Sequence, residues 1–223
     1  MKRIFVLLSL LLSAALAVMC IVYHQNGGTL LKGVCSGLFT TVGAVNLVYC
    51  VLKKKKLLFP VLAFSGLLLC TVGDIVLLQN FILGAALFVC GHVLYVIAYC
   101  ILRKPSAFDI PFVLIITAAS VCVVTLVPVF NYGSTVMEAV AVVYAVVISF
   151  MLGKAISNVI KLPSSTTVTA AVGSLLFFVS DIALAFNVFG GTPTWADPLC
   201  LVTYFPGQLL IAWSIFAYAS TEQ

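Results

Sequence analysis

The sequence predicts an all-α, polytopic membrane protein with eight transmembrane helices. Hydrophobic residues make up 64% of the 223 residues and charged residues only 8%, and the mean hydropathy is +1.28. A soluble domain carries roughly a quarter charged residues, so the surface of this chain must face lipid. In addition, the apolar runs are each close to the roughly 20 residues that a helix needs to cross the hydrocarbon.

Short polar stretches rich in Gly, Pro, Asn and Lys separate the apolar runs, as is typical of turns. The first run begins like a signal peptide, but Val18-Met19-Cys20 offers no small-residue cleavage site, so we expect it to remain as the first transmembrane helix. We expect residues 1–223 to form a single transmembrane domain. The predicted helices are 4–23, 29–52, 57–79, 81–102, 109–129, 136–158, 166–189 and 198–219.

The basic residues predict the orientation in the membrane. With eight helices, ten of the eleven fall on one side, and only Lys32 falls near the other. This is the positive-inside pattern, so we expect both termini to be cytoplasmic, in a bacterial inner membrane or the endoplasmic reticulum. The basic residues form no groove or aromatic-lined patch, which argues against a nucleic-acid partner. Membrane lipids are the expected surroundings, and the lysine run Lys53–Lys56 fits contact with anionic head groups.

A sequence repeat predicts the internal organisation. GLLLCTVGDIVLLQN (66–80) and GSLLFFVSDIALAFN (173–187) are identical at eight of fifteen positions. Because the two segments lie four helices apart, both run in the same direction through the membrane. The pattern predicts two parallel four-helix repeats, about 1–104 and 105–223, related by an axis near the membrane normal.

Asp74 and Asp181 occupy matching places in these repeats, each six residues before the closing Asn. We expect each carboxylate about 9 Å below the outer end of its helix. Such a group is costly unless it faces the bundle interior or a wet cavity, and it often marks function. We expect no basic residue in the outer half of any helix to pair with them. One protonated and one ionised carboxyl group would place a general acid beside a base. A structural role, with bonds to neighbouring Ser, Tyr or backbone groups, is the alternative.

Further polar side chains inside the bundle are candidates for binding or orienting a substrate. Helix 4 places His92, Tyr95 and Tyr99 on one face, and helix 8 places Tyr204 and Gln208 one turn apart. A buried imidazole with a purely structural role is the alternative for His92. We expect Asp109 to cap the start of helix 5 on the cytoplasmic side.

The sequence predicts no metal site and no cofactor. None of the eight cysteines forms a CxxC pair, and there are only two histidines, of which His24 is expected in an outer loop. No motif for a Ser or Cys nucleophile with an adjacent base is present.

Three segments carry a family resemblance. GDIVLLQNFILGAALFVCGHVLY (73–95), SDIALAFNVF (180–189) and TYFPGQLLIAW (203–213) resemble, in this order, the YhhN-like lysoplasmalogenase family of integral membrane proteins. The resemblance covers most of the chain from about Lys53 onward.

The resemblance implies that the substrate is a lysophospholipid, a lysoplasmalogen. Its vinyl ether bond would be hydrolysed to a fatty aldehyde and glycerophosphoethanolamine or glycerophosphocholine. This reaction needs a proton donor and a negative group near an oxocarbenium ion, roles that two carboxyl groups also divide in glycosidases. We expect one aspartate to be the general acid and the other to stabilise the cation and activate water. The implied pocket residues are Asp74, His92, Tyr95, Asp181, Tyr204 and Gln208.

Two other function classes fit part of the pattern. Parallel repeats with matched intramembrane acids also occur in proton-coupled carriers, although this chain shows no pair of broken helices at equivalent places. A lipid-binding membrane protein with structural aspartates is the third interpretation.

Overall fold

The computed structural model describes residues 2–221, which form long helices and no strand. All eight long helical segments are long and apolar enough to cross a membrane. The predicted all-α, multi-pass membrane fold is therefore confirmed. The helices are α1 (Lys2–Asn26), α2 (Thr29–Leu52), α3 (Leu58–Leu77), α4 (Phe81–Leu102), α5 (Ile110–Leu126, preceded by a 3₁₀ turn at Ala107–Asp109), α6 (Thr135–Lys161), α7 (Ser165–Phe189) and α8 (Ala196–Ser220).

The helix ends lie within three residues of the predicted boundaries, and local chemistry explains the differences. The α3 helix stops at Leu77 because Asn80 already caps α4, where its side chain accepts a hydrogen bond from Leu83 N at 3.0 Å. The α5 helix stops at Leu126 because Val127 precedes Pro128 and is extended.

The two membrane ends of the bundle differ in charge. We call the end with Lys53–Lys56, Arg103 and Lys104 the basic end; it carries the connections α2–α3, α4–α5 and α6–α7. The other end, which we call the opposite end, carries the connections α1–α2, α3–α4, α5–α6 and α7–α8. The α5–α6 connection contacts the end of α7, since Asn131 N donates a hydrogen bond to Phe189 O at 2.8 Å.

A buried ion cluster closes the basic end. The Asp109 carboxylate pairs with the Arg103 guanidinium, accepts a hydrogen bond from Lys154 Nζ at 2.8 Å and accepts another from Ser157 Oγ at 2.7 Å. It also accepts a hydrogen bond from Ser106 N at 2.9 Å, in a capping box that starts the 3₁₀ turn. The capping position expected for Asp109 is thus confirmed, and the same side chain joins α4, α6 and the start of α5.

The helix pairs follow one pattern in both halves of the chain. The α3 helix packs on α4 as α7 packs on α8, and α1 packs on α2 as α5 packs on α6. Between the halves, α2 packs on α8 as α6 packs on α4. A duplicated four-helix unit would produce this arrangement, and the duplication itself stays a prediction.

Glycines bring the backbones of the closest helix pairs together. A Cβ atom on Gly91 would lie 3.3 Å from the carbonyl oxygen of Gly66, where α3 crosses α4. A Cβ atom on Gly173 would lie 2.8 Å from the carbonyl oxygen of Gly207, where α7 crosses α8. Small residues of this kind let membrane helices approach closely and gain van der Waals contact. These two crossings set the positions of the four helices that carry the predicted site residues.

We expect Gly173→Ala to lower the free energy of unfolding by about 1–3 kcal/mol, because the added methyl group would collide with backbone atoms of α8. The matched control is Gly37→Ala on α2, where nothing lies within 4 Å of the added Cβ. The control should be neutral or more stable by up to about 1 kcal/mol, since Ala favours helix over Gly. Denaturant titration of both proteins in detergent, followed by circular dichroism, measures the difference. Equal stability of the two variants would contradict the tight crossing.

Candidate functional site

Asp74 lies near the end of α3 and is 1% exposed. Its Oδ2 atom accepts hydrogen bonds from Ser36 Oγ at 2.5 Å and from Tyr204 OH at 2.6 Å. Its Oδ1 atom lies 3.3 Å from Lys32 Nζ. Charge-assisted hydrogen bonds of this kind are stronger than neutral ones. Both oxygens are therefore engaged, and the carboxylate ties α3 to α2 and α8.

The ion pair with Lys32 corrects the expectation that no basic residue would reach the aspartates. Lys32 lies in the first turn of α2, and its side chain is only 13% exposed. Its long aliphatic stem lets the ammonium group turn inward from the opposite end to a carboxylate. One feature of the sequence could have indicated this ion pair: Lys32 is the one basic residue on the opposite side of the membrane from the other ten.

Asp181 lies in the middle of α7 and has different surroundings. Its Oδ2 atom accepts a hydrogen bond from Tyr144 OH at 2.9 Å and lies 3.9 Å from His92 Nε2. The Asp181 side chain is 11% exposed, whereas the His92 side chain is fully buried. Among the described residues, His92 Nε2 has no hydrogen-bond partner. The structure therefore brings Asp181 and His92 together, but Lys32 pairs with Asp74 and not with Asp181.

Tyr95 and Gln208 form a separate pair. Tyr95 OH donates a hydrogen bond to Gln208 Oε1 at 2.9 Å, and neither side chain bonds to an aspartate in the described part of the chain. Tyr99, on the same face of α4, shares a 2.9 Å hydrogen bond with Ser174. Of the candidates on α4 and α8, His92 and Tyr204 are thus the ones that approach a carboxylate.

Sequence reasoning missed Ser36 and Tyr144, the hydroxyl donors on α2 and α6. No motif marks them, because a single Ser or Tyr is common in an apolar helix. The repeat contained a usable signal: Ser36 and Tyr144 lie 108 positions apart, close to the 107 that separate Asp74 and Asp181. A comparison of the two repeats could therefore have found these two hydroxyl groups, each on the helix that precedes the helix of its aspartate.

Aromatic rings connect the two carboxylate sites. The Tyr204 ring, whose hydroxyl bonds to Asp74, lies with its centroid 5.3 Å from that of Phe177. The Phe177 ring in turn lies 4.7 Å from the His92 ring, which faces Asp181. The Phe177 ring therefore lies between the two carboxylate sites.

The two aspartates also differ in their position along their helices. Asp74 is three residues from Leu77, the end of α3, or about 4.5 Å along the axis. Asp181 is eight residues from Phe189, the end of α7, or about 12 Å. The expectation of about 9 Å for both was wrong, because α3 ends before Asn80 whereas α7 continues past Asn187.

An apolar cavity of about 90 Å³ lies between α4, α5, α6 and α7. Its wall is hydrophobic except for Ser120, Tyr144 and Asp181, and it is partly open to the outside of the protein. It extends from Phe189 at the opposite end inward to Ile148. The volume is several times what one water molecule needs. Asp181 is thus a carboxyl group in the wall of a hydrophobic cavity, and Asp74 is not part of that wall.

A second hydrophobic groove, of about 380 Å³, lies between α1 and α8. Its polar lining residues are Ser13 and His24 together with Cys20, and no carboxylate belongs to its wall. No group of three His, Cys, Asp or Glu side chains in residues 2–221 is placed to hold a metal ion.

These features define a multi-pass membrane protein with one carboxylate inside the bundle on α3 and another on α7, the second of which faces an apolar cavity. A sequence profile of the YhhN family matches residues 35–215, and the chain belongs to that family. The resemblance found in the sequence is thereby confirmed.

Two curated relatives give the family context. The chain is 28% identical over 158 residues to the protein named lysoplasmalogenase TMEM86A of Bos taurus, an alignment that covers 68% of this chain and 63% of the relative. It is 28% identical over 159 residues to lysoplasmalogenase TMEM86A of Homo sapiens, with the same coverage. The chain therefore spans slightly less than two thirds of the length of these relatives. No solved structure matches this chain.

We expect Asp74→Asn to lower the free energy of unfolding by about 3–5 kcal/mol, because it leaves the Lys32 ammonium group buried without its counter-ion. Removing both charges in Lys32→Met/Asp74→Asn should recover most of this loss. Denaturant titrations of the wild type, both single variants and the double variant give the coupling free energy. Lys56→Met, on an exposed lysine at the basic end, is the control and should be neutral. A double variant no more stable than Asp74→Asn would contradict the ion pair.

Proposed function

We propose that this chain hydrolyses the vinyl ether bond of lysoplasmalogens. The products would be a fatty aldehyde and glycerophosphoethanolamine or glycerophosphocholine. The observation that carries the proposal is the Asp181 carboxyl group in the wall of a hydrophobic cavity inside a membrane bundle. Membership of the YhhN family and the names of the two relatives support the same reaction.

The chemistry of the substrate explains why a buried carboxyl group is needed. A vinyl ether reacts when a proton is added to its outer alkene carbon, which leaves an oxocarbenium ion next to the ether oxygen. Water then adds to the carbon attached to the ether oxygen, and the hemiacetal collapses to an aldehyde and an alcohol. The slow step requires a positioned proton donor, and the cation requires a nearby negative charge. We propose that an intramembrane aspartate supplies the proton and, once ionised, the negative charge.

The side chains around the carboxyl groups have roles in this proposal. Tyr144 OH holds one oxygen of Asp181 by its 2.9 Å hydrogen bond, so the other oxygen can turn toward the cavity. His92 is the second polar group beside that carboxyl group and would orient the attacking water. Tyr204 lies against Phe177, and Tyr95, whose ring centroid is 6.5 Å from that of His92, bonds to Gln208. These three side chains would support the arrangement through their own hydrogen bonds.

The cavity favours a lipid with a single hydrocarbon chain as substrate. Its lining is almost entirely aliphatic and aromatic, as expected of a site for an alkenyl chain. Asp181 lies about 12 Å inside the end of α7. In a lysophospholipid the ether linkage lies just beneath the polar head group, so a head group at the opposite end would bring this linkage toward the carboxyl group.

The experiment incubates purified protein in detergent with a lysoplasmalogen and assays the fatty aldehyde. We expect aldehyde from the vinyl ether and none from the matched saturated ether, which has no alkene carbon to protonate. In D₂O, followed by immediate reduction, the product alcohol should carry one deuterium at the carbon next to the former carbonyl group.

The result also separates the alternative functions. Absence of aldehyde from folded protein across the pH range would overturn the proposal. Movement of the intact lipid into liposomes without bond cleavage would indicate a carrier, and tight binding without movement or cleavage would indicate a lipid-binding protein.

We further propose that the basic end faces the cytoplasm, because ten of the eleven Lys and Arg residues cluster on that side. A C-terminal green fluorescent protein fusion in bacteria should then fluoresce, whereas a C-terminal alkaline phosphatase fusion should be inactive. The reverse result would place the opposite end, and the mouth of the cavity, on the cytoplasmic side.

A further inference from the structure

We propose that the two aspartates do not share the catalytic work: Asp181 alone transfers the proton, and Asp74 is the structural counter-ion of Lys32. This inference rests on the proposed function and assigns the roles within it. It replaces the expectation of two cooperating carboxyl groups with one reacting carboxyl group and one fixed carboxylate.

The first argument is access. Asp181 lines the cavity and is bonded by Tyr144 at one of its oxygens. Asp74 lies outside that cavity, is 1% exposed, and has both oxygens engaged by Lys32 and two hydroxyl groups. A substrate can therefore reach Asp181 without breaking an existing ion pair, whereas it would have to displace Lys32 or a hydroxyl donor to reach Asp74.

The second argument compares the surroundings of the two carboxyl groups helix by helix. Asp74 on α3 is contacted from α2 by Ser36 and from α8 by Tyr204. Asp181 on α7 is contacted from α6 by Tyr144, and from α4 by His92 at 3.9 Å. The α2 helix packs on α3 as α6 packs on α7, so the two sites share this part of the helical framework. The α8 helix also packs on α3, whereas α4 reaches the Asp181 site through the His92 side chain.

The difference in charge between the two sites is one paired cation. Lys32 completes the site of Asp74, and among the described residues no Lys or Arg pairs with Asp181. A carboxylate paired with an ammonium group is stable as an anion, and this anion has no proton to donate. A carboxyl group in an apolar wall without a cation favours the neutral acid, which is the form that protonates an alkene.

The reaction can be written with Asp181 as the only acid and base. The proton of its carboxyl O–H goes to the outer alkene carbon, and the π electrons form the new C–H bond. The resulting carboxylate faces the oxocarbenium ion. A water molecule from the solvent adds to the cationic carbon and gives one proton back to Asp181. Collapse of the hemiacetal breaks the bond between this carbon and the glycerol oxygen, and the hydroxyl proton ends on the glycerol oxygen. The net change is the consumption of one water.

The test makes the same Asp→Asn change at both positions. At Asp74 the change is combined with Lys32→Met, so that no buried ammonium group is left without a counter-ion. We expect Asp181→Asn to lower kcat by about 10²–10⁴-fold, the usual contribution of a general acid. We expect Lys32→Met/Asp74→Asn to keep kcat within about tenfold of the wild type, because both buried charges are removed together. Thermal unfolding in detergent with the saturated ether analogue should show that Asp181→Asn still folds and still binds the lipid chain.

A second pair of variants covers the case in which the double variant does not fold. Tyr144→Phe and Tyr204→Phe each remove one hydroxyl donor from one carboxylate. We expect Tyr144→Phe to lower kcat and to alter the pH dependence of kcat, because its partner is the reacting group. Tyr204→Phe should lower stability more than kcat and leave the shape of the pH profile unchanged.

The outcomes separate this inference from the proposed function. Aldehyde release that survives Asp181→Asn but is lost in the folded Lys32→Met/Asp74→Asn protein would overturn the inference and leave the function intact. Equal losses of 10²-fold or more in both, with folding and analogue binding retained, would overturn it in favour of two cooperating carboxyl groups. Absence of aldehyde from the wild type would overturn the proposed function and this inference with it.

Discussion

The ion pair between Lys32 and Asp74 shows the constraint on which the rest of this structure depends: a charge inside a membrane bundle needs a partner within the protein. The pair, with the hydroxyl groups of Ser36 and Tyr204, fixes α2, α3 and α8 relative to one another near the opposite end. The Asp109 cluster does the same for α4, α6 and the start of α5 at the basic end. In lipid, where apolar side chains gain nothing by leaving water, such bonds and close packing specify which helices are neighbours.

Asp181 has no paired cation among the described residues, and the proposed chemistry depends on this difference. Its carboxyl group has a hydroxyl donor in Tyr144, an imidazole at 3.9 Å and an apolar cavity beside it. The close approach at Gly173 and Gly207 packs α7 tightly against α8, while another face of α7 lines the cavity. A functional group that is incompletely satisfied is held in place by neighbours that are well packed.

The sequence predicted the helices well and marked the two aspartates as carboxyl groups within apolar helices, because both depend on local signals. Apolar runs of transmembrane length give the helices, and a carboxylate within such a run is conspicuous. His92 and Tyr204 were also found, since each interrupts an apolar face near the predicted depth. Lys32 was misjudged because membrane-orientation rules treat a terminal lysine as a surface charge, whereas its side chain is long enough to turn inward. Tyr144 and the cavity could not be derived, because they depend on which face of α6 meets α7.

The contrast between the two carboxylates gives a physical reason for using a membrane bundle for this chemistry. In water a carboxylic acid near neutral pH is ionised and donates poorly to carbon, whereas an apolar wall without a cation favours the protonated form. An apolar wall also suits a hydrocarbon chain. In the proposed reaction, the surroundings that keep the carboxyl group protonated would therefore also bind the chain attached to the reacting alkene. A lysine placed beside Asp181, as Lys32 is placed beside Asp74, would remove that advantage while leaving the fold satisfied. The proposed division into a structural and a reactive carboxylate therefore rests on one cation, Lys32, which pairs with Asp74 and has no counterpart beside Asp181 among the described residues.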